Sequence, residues 1–230
     1  MKVSIVLPTL NEEEGIGNTI DSIKKEEFEK RGWDLEVLVV DGNSTDRTRE
    51  IAAEKGARII IEPRRGYGRA YKTGLKEATG EIIVTGDADG TYPFDKVHEY
   101  IDLLLKENLD FITTNRFAGL KRDAMSFKHF FGNFILSFIL RILYGIKLKD
   151  SQSGMWIIKK EALNKIKPLE KFHDGMPFSE EIKIEMFRNK KIRAKEIPSC
   201  LYKRKGKPKL QSWEDGIKNL KFLIKYRFGG

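Results

Sequence analysis

"IIVTGDADGTYP", residues 82–93, contains the transition that decides the fold, because an apolar, β-branched run ends there in Asp87 and Asp89. Such short apolar runs are typical of strands that are buried on both faces. Side chains at positions i and i+2 of an extended chain project to the same side, so the two carboxylates face one point. Their mutual repulsion must be offset, and a divalent cation offsets it. Gly90 permits close approach of the backbone, and Pro93 suits the first turn of a following helix.

The chain around this stretch alternates apolar runs with helical segments. The runs VSIVL, LEVLVV and ARIII predict further strands at 3–7, 35–40 and 57–61. Capping residues, helical spacing and terminal glycines predict helices within 11–28, 44–56 and 66–80. This alternation predicts an α/β fold, with a mostly parallel sheet and helices on both faces. A GxGxxG motif does not follow the first strand, which argues against a dinucleotide-binding dehydrogenase.

Carboxylates follow several of these strands at the point where each strand ends. Glu12 follows the first strand, Asp41 the second, and Asp87 with Asp89 the fourth. Ligands of open α/β sheets bind outside the carboxyl ends of the strands, so these side chains should converge. Two carboxylates, completed by phosphate oxygens and water, describe a Mg²⁺ or Mn²⁺ site for a nucleoside diphosphate. The alternative for each is a purely local one, because acids are common in turns and helix caps.

The composition is that of an ordinary globular protein, with 40% hydrophobic and 33% charged residues in a chain of 230. The single cysteine, Cys200, excludes an intramolecular disulfide and fits a reducing compartment. Met1 leads directly into a strand-like run, so no signal peptide is predicted and we expect a cytoplasmic location. The net charge of +9 indicates either a polyanionic partner or a highly charged solvated surface. A nucleic-acid-binding module would leave the acidic strand ends without a role, so no nucleic-acid partner is expected.

A second apolar segment lies in the C-terminal half, within residues 123–150. His129, Asn133, Ser137 and Arg141 recur in it every four residues, which on a helix forms a polar stripe along an apolar rod. These groups interrupt the apolar stretch, which falls short of the ~20 residues that a membrane span requires. Two interpretations stay open: a helix that lies in a membrane interface, and a core helix with a polar seam.

The segments PTLNEEEGI, VVDGNSTDRT, GYGRAYKTG and GDADGTYP follow one another in the first half of the chain. In their order and spacing they resemble the nucleotide-sugar half of the inverting glycosyltransferases of family 2, which have the GT-A fold. NRFAGLKRDAM, KHFFGNFIL, DSQSGMWIIKKEAL, GMPFSEEI and EIPSCLYKRKGKPKL are similar to its polyprenyl-phosphate branch, which includes dolichol-phosphate mannose and glucose synthases. The resemblance implies a single GT-A domain over 1–230, with a nucleotide-sugar-binding half at 1–117 and an acceptor-binding half at 118–230.

The resemblance also implies roles on the donor side of the site. The residues that would lie along the base, the ribose and the diphosphate of a nucleotide sugar are Pro8, Glu12, Asp41, Gly68, Lys72 and Asp87. Asp89, together with Asp87, would bind the Mg²⁺ or Mn²⁺ that bridges the diphosphate.

On the acceptor side, Asp150 and Glu181 fall where the family lines the sugar and acceptor pocket, and Arg116 and Arg204 would hold the acceptor phosphate or the donor diphosphate. The implied reaction transfers a sugar from GDP-mannose or a UDP-hexose to a polyprenyl (dolichyl) phosphate. A phosphomonoester is already anionic at neutral pH, because its second pKa is about 6. The alternative, a hydroxyl acceptor, would need Asp150 or Glu181 as a general base. Since Glu180 and Glu181 are adjacent, we expect one of them, Glu180, to be solvated.

The compared branch often carries C-terminal transmembrane helices, and this chain reaches Gly230 without one. We therefore expect peripheral contact with a membrane. The helix predicted within 125–147 and the basic segment 218–228 suit an anionic cytosolic leaflet. Such attraction decays within ~8 Å at physiological ionic strength, so it should be sensitive to salt.

Overall fold

The computed structural model describes residues 1–120, 125, 127–206 and 212–229, and for residues 120, 127 and 212–215 it describes the backbone alone. Residues 121–124 and 207–210, which belong to two of the segments quoted above, lie outside the described residues. The strands are β1 Lys2–Thr9, β2 Asp34–Asp41, β3 Arg58–Ile61, β4 Ile82–Thr85, β5 Phe111–Leu120, β6 Trp156–Lys159 and β7 Ala194–Leu201. The helices are α1 Ile16–Asp21, α2 Lys25–Lys30, α3 Thr48–Glu54, α4 Tyr67–Glu77, α5 Val97–Lys106, α6 Phe127–Tyr144, α7 Phe178–Arg188 and α8 Ser212–Phe228.

Within the described residues, the strands form one seven-stranded sheet in the order β3-β2-β1-β4-β6-β5-β7. β1 pairs in parallel with both β2 and β4, and β2 pairs in parallel with β3. Thr9 lies opposite Asp41 in this register, so the carboxyl ends of β1 and β2 are level. The predicted α/β fold with a mostly parallel sheet is confirmed.

β6 runs antiparallel to both of its neighbours, β4 and β5, while β7 pairs in parallel with β5. The start of β6 therefore lies at the same edge of the sheet as the ends of the parallel strands. This reversal brings the segment that precedes Trp156 beside the loop that follows β4. It also places the end of β7 at that edge.

The two faces of the sheet bury separate apolar cores, because alternate residues of a strand point to opposite faces. In β1, Val3, Ile5 and Leu7 belong to one core and Val6 belongs to the other. Side chains of α1, α2 and α5 complete the first core, and side chains of α4 and α7 complete the second. Helices thus cover both faces, as the alternating sequence predicts.

α6 and α8 form a pair that packs on α7 through a third apolar cluster, to which Leu140, Ile184 and Leu223 belong. The polar stripe of α6 faces the protein at Ser137, which is buried and lies 3.1 Å from the hydroxyl of Ser151. Other positions of α6 leave large apolar side chains exposed. The helix is therefore neither fully buried in the core nor polar on its outer surface. No helix in the described part of the chain combines the length and the hydropathy needed to cross a membrane.

Two sequence expectations are refined by the structure. In the stretch 11–28, residues 11–15 belong to a loop at the carboxyl end of β1, and residues 22–24 separate the two short helices α1 and α2. β5 spans residue 117, and strands from both expected halves belong to one sheet. The division at 117 is therefore a prediction about function and does not correspond to a break in the packing.

Candidate functional site

The carboxyl ends of the strands bring predicted site residues from distant parts of the chain to one edge of the sheet. Asp41 is the last residue of β2, Asp87 and Asp89 follow β4, and Arg204 follows β7. Arg116 lies in β5 where the register against β7 is irregular. Such irregularities commonly re-aim a side chain out of the regular ladder.

The loop after β4 is held in shape by its own hydrogen bonds and by α1. The N–H and the hydroxyl of Thr91 donate to Oδ1 of Asp89 at 3.0 and 2.6 Å. Gly90 has a φ of 78°, a left-handed conformation that favours glycine, and its N–H donates to Thr19 at 3.0 Å. A Cβ at Gly15 would lie 2.7 Å from a backbone carbonyl oxygen of this loop, so a glycine there lets α1 begin directly against it.

The negative charge of the two aspartates is only partly balanced by the protein. Burial and the neighbouring charge of Asp89 raise the pKa of Asp87 to about 7, although Arg116 and Arg204 oppose the shift. This pair of hard oxygen ligands fits Mg²⁺ or Mn²⁺, with a diphosphate and water completing the coordination. Among the described residues, no group of three or more His, Cys, Asp or Glu side chains could hold a metal ion by itself. Substrate phosphates would therefore have to supply ligands here.

Arg204 links the loop after β4 to the loop after β1. Its Nη1 forms an ion pair with Asp89, and its Nη2 lies 2.8 Å from Oε1 of Glu12. Glu12 and Arg204, both predicted to contact substrate, are thus brought together with a predicted metal ligand. In this structure the guanidinium of Arg204 balances the charge of both Glu12 and Asp89.

Asp41 is completely buried, and its carboxylate is held by the turn that follows β2. Oδ2 accepts from the N–H of Ser44 at 2.9 Å and lies 3.2 Å from Arg49. Pro8 lies on the neighbouring strand opposite Val40. These contacts give Asp41 the local role that the sequence left as an alternative, and contact of Asp41 or Pro8 with a nucleotide stays a prediction.

Gly68 and Lys72 lie on the side of α4 that faces the segment 172–175, which leads into α7. Nζ of Lys72 donates to the carbonyl of Phe172 at 2.8 Å and forms an ion pair with Asp174. A Cβ at Gly68 would lie 2.3 Å from a carbonyl oxygen of this segment, so the close approach requires glycine. Lys72 anchors the segment 172–175 and Gly68 leaves room for it. Contact of either residue with a donor stays a prediction.

Three tyrosine hydroxyls surround Gly154, next to Asp87. The N–H of Gly154 donates to the hydroxyl of Tyr92 at 2.7 Å, and Tyr71 donates to Oδ1 of Asp87 at 3.3 Å. A Cβ at Gly154 would lie 2.9 Å from the hydroxyl of Tyr67. Burial raises the pKa of all three tyrosines, so they act as neutral hydrogen-bonding groups. Sequence reasoning missed this cluster, although the four-residue spacing of Tyr67 and Tyr71 places them on one face of α4.

Arg116 and Asp150 form a buried ion pair with two parallel contacts. Nε and Nη2 of Arg116 lie 2.7 and 2.9 Å from the two oxygens of Asp150. Asp150 is completely buried, and the Arg116 side chain is 12% exposed. Burial alone would raise the pKa of Asp150, but the guanidinium holds this pKa below its usual value. A carboxylate bound in this way is a weak base, and the pair as a whole is neutral.

Glu180 and Glu181 are both buried in the first turn of α7, so the expectation that Glu180 is solvated is wrong. Glu181 accepts from Lys167 at 2.5 Å and from the N–H of His173 at 2.7 Å. Glu180 accepts from Gln152 at 2.5 Å, and its Oε2 has no hydrogen-bond partner among the described residues. Burial raises the pKa of Glu180 to about 8. Adjacent residues of a helix do point in different directions, but in this turn of α7 both side chains pack against other parts of the protein.

Lys183, which no sequence pattern indicated, is completely buried on α7. Its Nζ donates to the carbonyls of Ser151 and Ser153 at 2.7 and 2.6 Å and to the hydroxyl of Ser179 at 2.8 Å. Burial lowers the pKa of Lys183 to about 7. These bonds hold the segment that follows Asp150, so Lys183 supports the buried ion pair from below the site.

A cavity of about 820 Å³ lies at the other edge of the sheet. Met1, Gly80 and Lys159, which line it, stand at the amino ends of β1 and β4 and at the carboxyl end of the antiparallel β6. None of the predicted site residues lines this cavity, so it is separate from the candidate site.

The chain belongs to glycosyl transferase family 2, whose family model matches residues 4–167. It is 35% identical over 227 residues to the low-salt glycan biosynthesis hexosyltransferase Agl6 of Haloferax volcanii, which covers 96% of this chain and 53% of that relative. It is 29% identical over 224 residues to the dolichyl-phosphate hexose transferase of the same organism, which covers 97% of this chain and 92% of that relative. The chain thus spans about half of the first relative and nearly all of the second.

The structure is also similar to crystal structures of glucosyl-3-phosphoglycerate synthase from Mycobacterium tuberculosis. The complex of that enzyme with Mn²⁺, UDP and glucosyl-3-phosphoglycerate has a TM-score of 0.74 at 20% identity, over 99% of this chain and 80% of that chain. The complex with Mn²⁺, UDP-glucose and phosphoglyceric acid has a TM-score of 0.74 at 21% identity, with the same coverage. At these identities the likeness establishes the fold.

Proposed function

We propose that this protein is an inverting glycosyltransferase that moves a hexose from a nucleotide sugar to a polyprenyl phosphate such as dolichyl phosphate. The observation that carries the proposal is the state of the two carboxylates predicted as bases. Asp150 is bound through both oxygens to Arg116, and Glu181 is bound to Lys167. A hydroxyl acceptor needs an available base near the reacting oxygen, whereas a phosphomonoester is already ionised. An arginine beside the site suits a phosphate acceptor.

On the donor side, Asp87 and Asp89 would hold Mg²⁺ or Mn²⁺ against the diphosphate of GDP-mannose or a UDP-hexose. A bound divalent cation there supplies charge neutralisation for the leaving nucleoside diphosphate. The Mycobacterium tuberculosis complexes with Mn²⁺ and UDP or UDP-glucose support this assignment through a shared fold.

The chemistry proposed for the acceptor follows from these charges. An acceptor phosphate oxygen attacks the anomeric carbon from the face opposite the leaving group, and the bond between that carbon and the donor diphosphate breaks. The sugar passes through an oxocarbenium-like state, and the anomeric configuration inverts. Arg116 would hold the attacking phosphate in line, so that positioning replaces base catalysis. The dolichyl-phosphate hexose transferase of Haloferax volcanii, which matches almost end to end, supports a lipid phosphate as the acceptor.

The outer surface of α6 and α8 supports peripheral contact with the anionic cytosolic leaflet in which such an acceptor would lie. Phe131, Phe138 and Ile142 on α6 are 54%, 49% and 66% exposed, and Phe228 on α8 is 71% exposed. Exposed apolar groups of this size usually mark a contact surface. Lys225 is exposed three residues before Phe228 on α8 and would add attraction to anionic lipid.

A transfer assay tests the proposal. The protein is given GDP-mannose, UDP-glucose or UDP-N-acetylglucosamine, together with polyprenyl phosphate in vesicles with or without anionic lipid, and with Mn²⁺, Mg²⁺ or EDTA. We expect a glycolipid whose formation EDTA abolishes, and which forms faster on anionic vesicles at low salt. Release of nucleoside diphosphate without a glycolipid would retain the transferase and reject the lipid acceptor. Transfer to a hydroxyl acceptor with a pH limb near 8 would point instead to Glu180, with Glu180→Gln as its test.

A further inference from the structure

Backbone hydrogen bonds join the segment after β7 to the loop after β4, which contains the proposed metal ligands. The N–H of Tyr202 donates to the carbonyl of Thr91 at 2.8 Å, and the N–H of Lys205 donates to the carbonyl of Asp89 at 2.8 Å. A Cβ at Gly90 would lie 3.3 Å from Cγ of Lys205, so the two stretches are in close contact. This arrangement presents Arg204, between the two bonds, directly to the carboxylates of the loop.

Both oxygens of Asp89 have partners in this structure. Oδ1 accepts two hydrogen bonds from Thr91, and Oδ2 carries the ion pair with Arg204. A divalent cation needs a carboxylate oxygen with a free lone pair facing it, and it repels a guanidinium on the same oxygen. Oδ2 is the oxygen that is not bonded to Thr91. A metal ion held by Oδ2 would therefore compete with Arg204.

The guanidinium of Arg204 also has an unmet hydrogen-bond donor. Its Nε is buried and has no partner among the described residues, while Nη1 and Nη2 are bound to Asp89 and Glu12. Arginine presents its donors as a planar fork that matches the two oxygens of a phosphate. An anion that arrived together with a metal would satisfy Nε and replace the carboxylates that the metal takes.

We propose that Arg204 is an internal counter-ion that the metal displaces from Asp89, and that the released guanidinium then binds the diphosphate that arrives with the metal. Metal and nucleotide therefore bind cooperatively, because each removes a cost of binding the other. Metal alone has to break the Arg204 contact, and a diphosphate alone meets an arginine that is already paired. The inference rests on the proposed metal site, and it does not depend on the identity of the acceptor.

Titration of Mn²⁺ into the protein, followed by the paramagnetic resonance of free Mn²⁺, tests the exchange without any turnover. Three forms are compared: the wild type, Arg204→Ala, and the control Arg193→Ala, which removes an exposed arginine just before β7 that lies 3.8 Å from Asp110. Each titration is made alone and with saturating UDP or GDP. Without nucleotide, we expect Arg204→Ala to bind Mn²⁺ roughly fivefold or more tightly than the wild type. With the nucleotide that binds, the order should reverse, and Arg193→Ala should follow the wild type in both series.

Two other results reject the exchange. Equal Mn²⁺ affinity of the wild type and Arg204→Ala without nucleotide would mean that the arginine does not compete with the metal. Tighter binding by Arg204→Ala in both series would mean that Arg204 merely repels cations and never transfers to the diphosphate. Arg204→Lys, which keeps the charge but cannot bridge Asp89 and Glu12 with a fork, should fall between the two and guards against a folding defect in the alanine variant. Absence of binding by both nucleotides would reject the proposed donor, while the titration with metal alone would still decide the competition.

Discussion

Asp89 and Asp150 lie at the same edge of the sheet and each is paired with an arginine. The two pairs differ in the number of contacts and in the exposed fraction of the arginine side chain. Asp150 binds Arg116 through both oxygens, and the Arg116 side chain is 12% exposed. Asp89 gives only one oxygen to Arg204, whose side chain is 26% exposed. The pKa of Asp150 is held below its usual value by its arginine, whereas the pKa of Asp87, beside Asp89, is raised to about 7 by burial and by its neighbour.

This difference in contacts and exposure indicates how two aspartate–arginine pairs acquire different roles. A buried, doubly bonded pair cannot exchange its partner without leaving a charge uncompensated, so it is a permanent part of the structure. A pair with one contact and partial exposure exchanges its cation at much lower cost. We infer that the Asp150 side of the edge presents a fixed guanidinium whose charge Asp150 balances, and that the Asp89 side is suited to receive a cation.

The largest expected effect tests whether the Asp150 pair is permanent. Asp150→Asn leaves Arg116 buried without a counter-charge, so we expect it to destabilise the fold by about 3–5 kcal/mol. Urea unfolding followed by circular dichroism measures this. Glu50→Gln is the matched control, because Glu50 forms an exposed pair with Arg47 and its loss should leave the unfolding midpoint nearly unchanged. A small effect of Asp150→Asn would show that the two pairs do not differ in kind.

The second prediction tests whether Asp89 receives the metal. Asp89→Asn keeps the shape of the side chain and removes its charge, so we expect Mn²⁺-dependent turnover to fall by about 10²–10³, a loss of several kcal/mol of charge stabilisation. Release of nucleoside diphosphate from the donor measures turnover, and thermal unfolding should be nearly unchanged. Asp21→Asn, which removes an exposed acid paired with Lys55, should keep full activity. Unchanged turnover in Asp89→Asn would remove this residue from the metal site.

The third prediction extends the comparison to Glu180, a buried carboxylate that has no arginine. Its pKa is raised from 4.5 to about 8 in the folded protein by burial, and Lys183 and Gln152 oppose the shift. The folded state therefore holds a proton that the unfolded state releases, so this group costs stability as the pH rises from about 4.5 towards 8. In Glu180→Gln this dependence is absent, and relative to the wild type the variant should gain on the order of 2 kcal/mol between about pH 5 and pH 7.

Urea unfolding of both proteins at a series of pH values measures that difference. Tyr144, whose pKa is also raised, and Lys183, whose pKa is lowered to about 7, lie close to Glu180 and are present in both proteins. Glu161→Gln, which loses the same charge at an exposed position, is the control. If the free energy of unfolding of the wild type and of Glu180→Gln changed with pH in the same way, Glu180 would be ionised in the folded protein, as Asp150 is.

Much of the fold was predictable because each strand in the parallel half of the sheet corresponds to a short apolar run in the sequence. The apolar runs at 3–7, 35–40 and 57–61 lie in β1, β2 and β3. Continuous apolar runs bounded by turn residues are typical of strands that are buried on both faces of a sheet. The direction of β6 was not predictable, because four residues carry no signal of their pairing partner. That direction depends on the packing of the segment before Trp156 against β4 and β5.

The position of Asp87 and Asp89 at the sheet edge was predictable for the same reason, since both directly follow β4. Their contact with a donor or a metal stays a prediction. The acceptor side was only partly predictable. Asp150 and Arg116 were each indicated by resemblance, but their pairing across 34 residues of chain was not. The burial of Glu180 was predicted wrongly, because adjacency on a helix says nothing about what packs on either side. The tyrosine cluster around Gly154 likewise depends on contacts between separate elements.

By itself, the sequence determined the class of fold and the edge of the sheet to which Asp87 and Asp89 are brought, because both follow from residues adjacent along the chain. That these two carboxylates hold a metal stays a prediction. Only the tertiary structure decided which charges are paired. It joined Arg116 to Asp150 and Arg204 to Asp89 and Glu12. The physical reason is that the strength of an ion pair, and the pKa that results, depend on burial and on distance in space, and neither can be read from spacing along the chain.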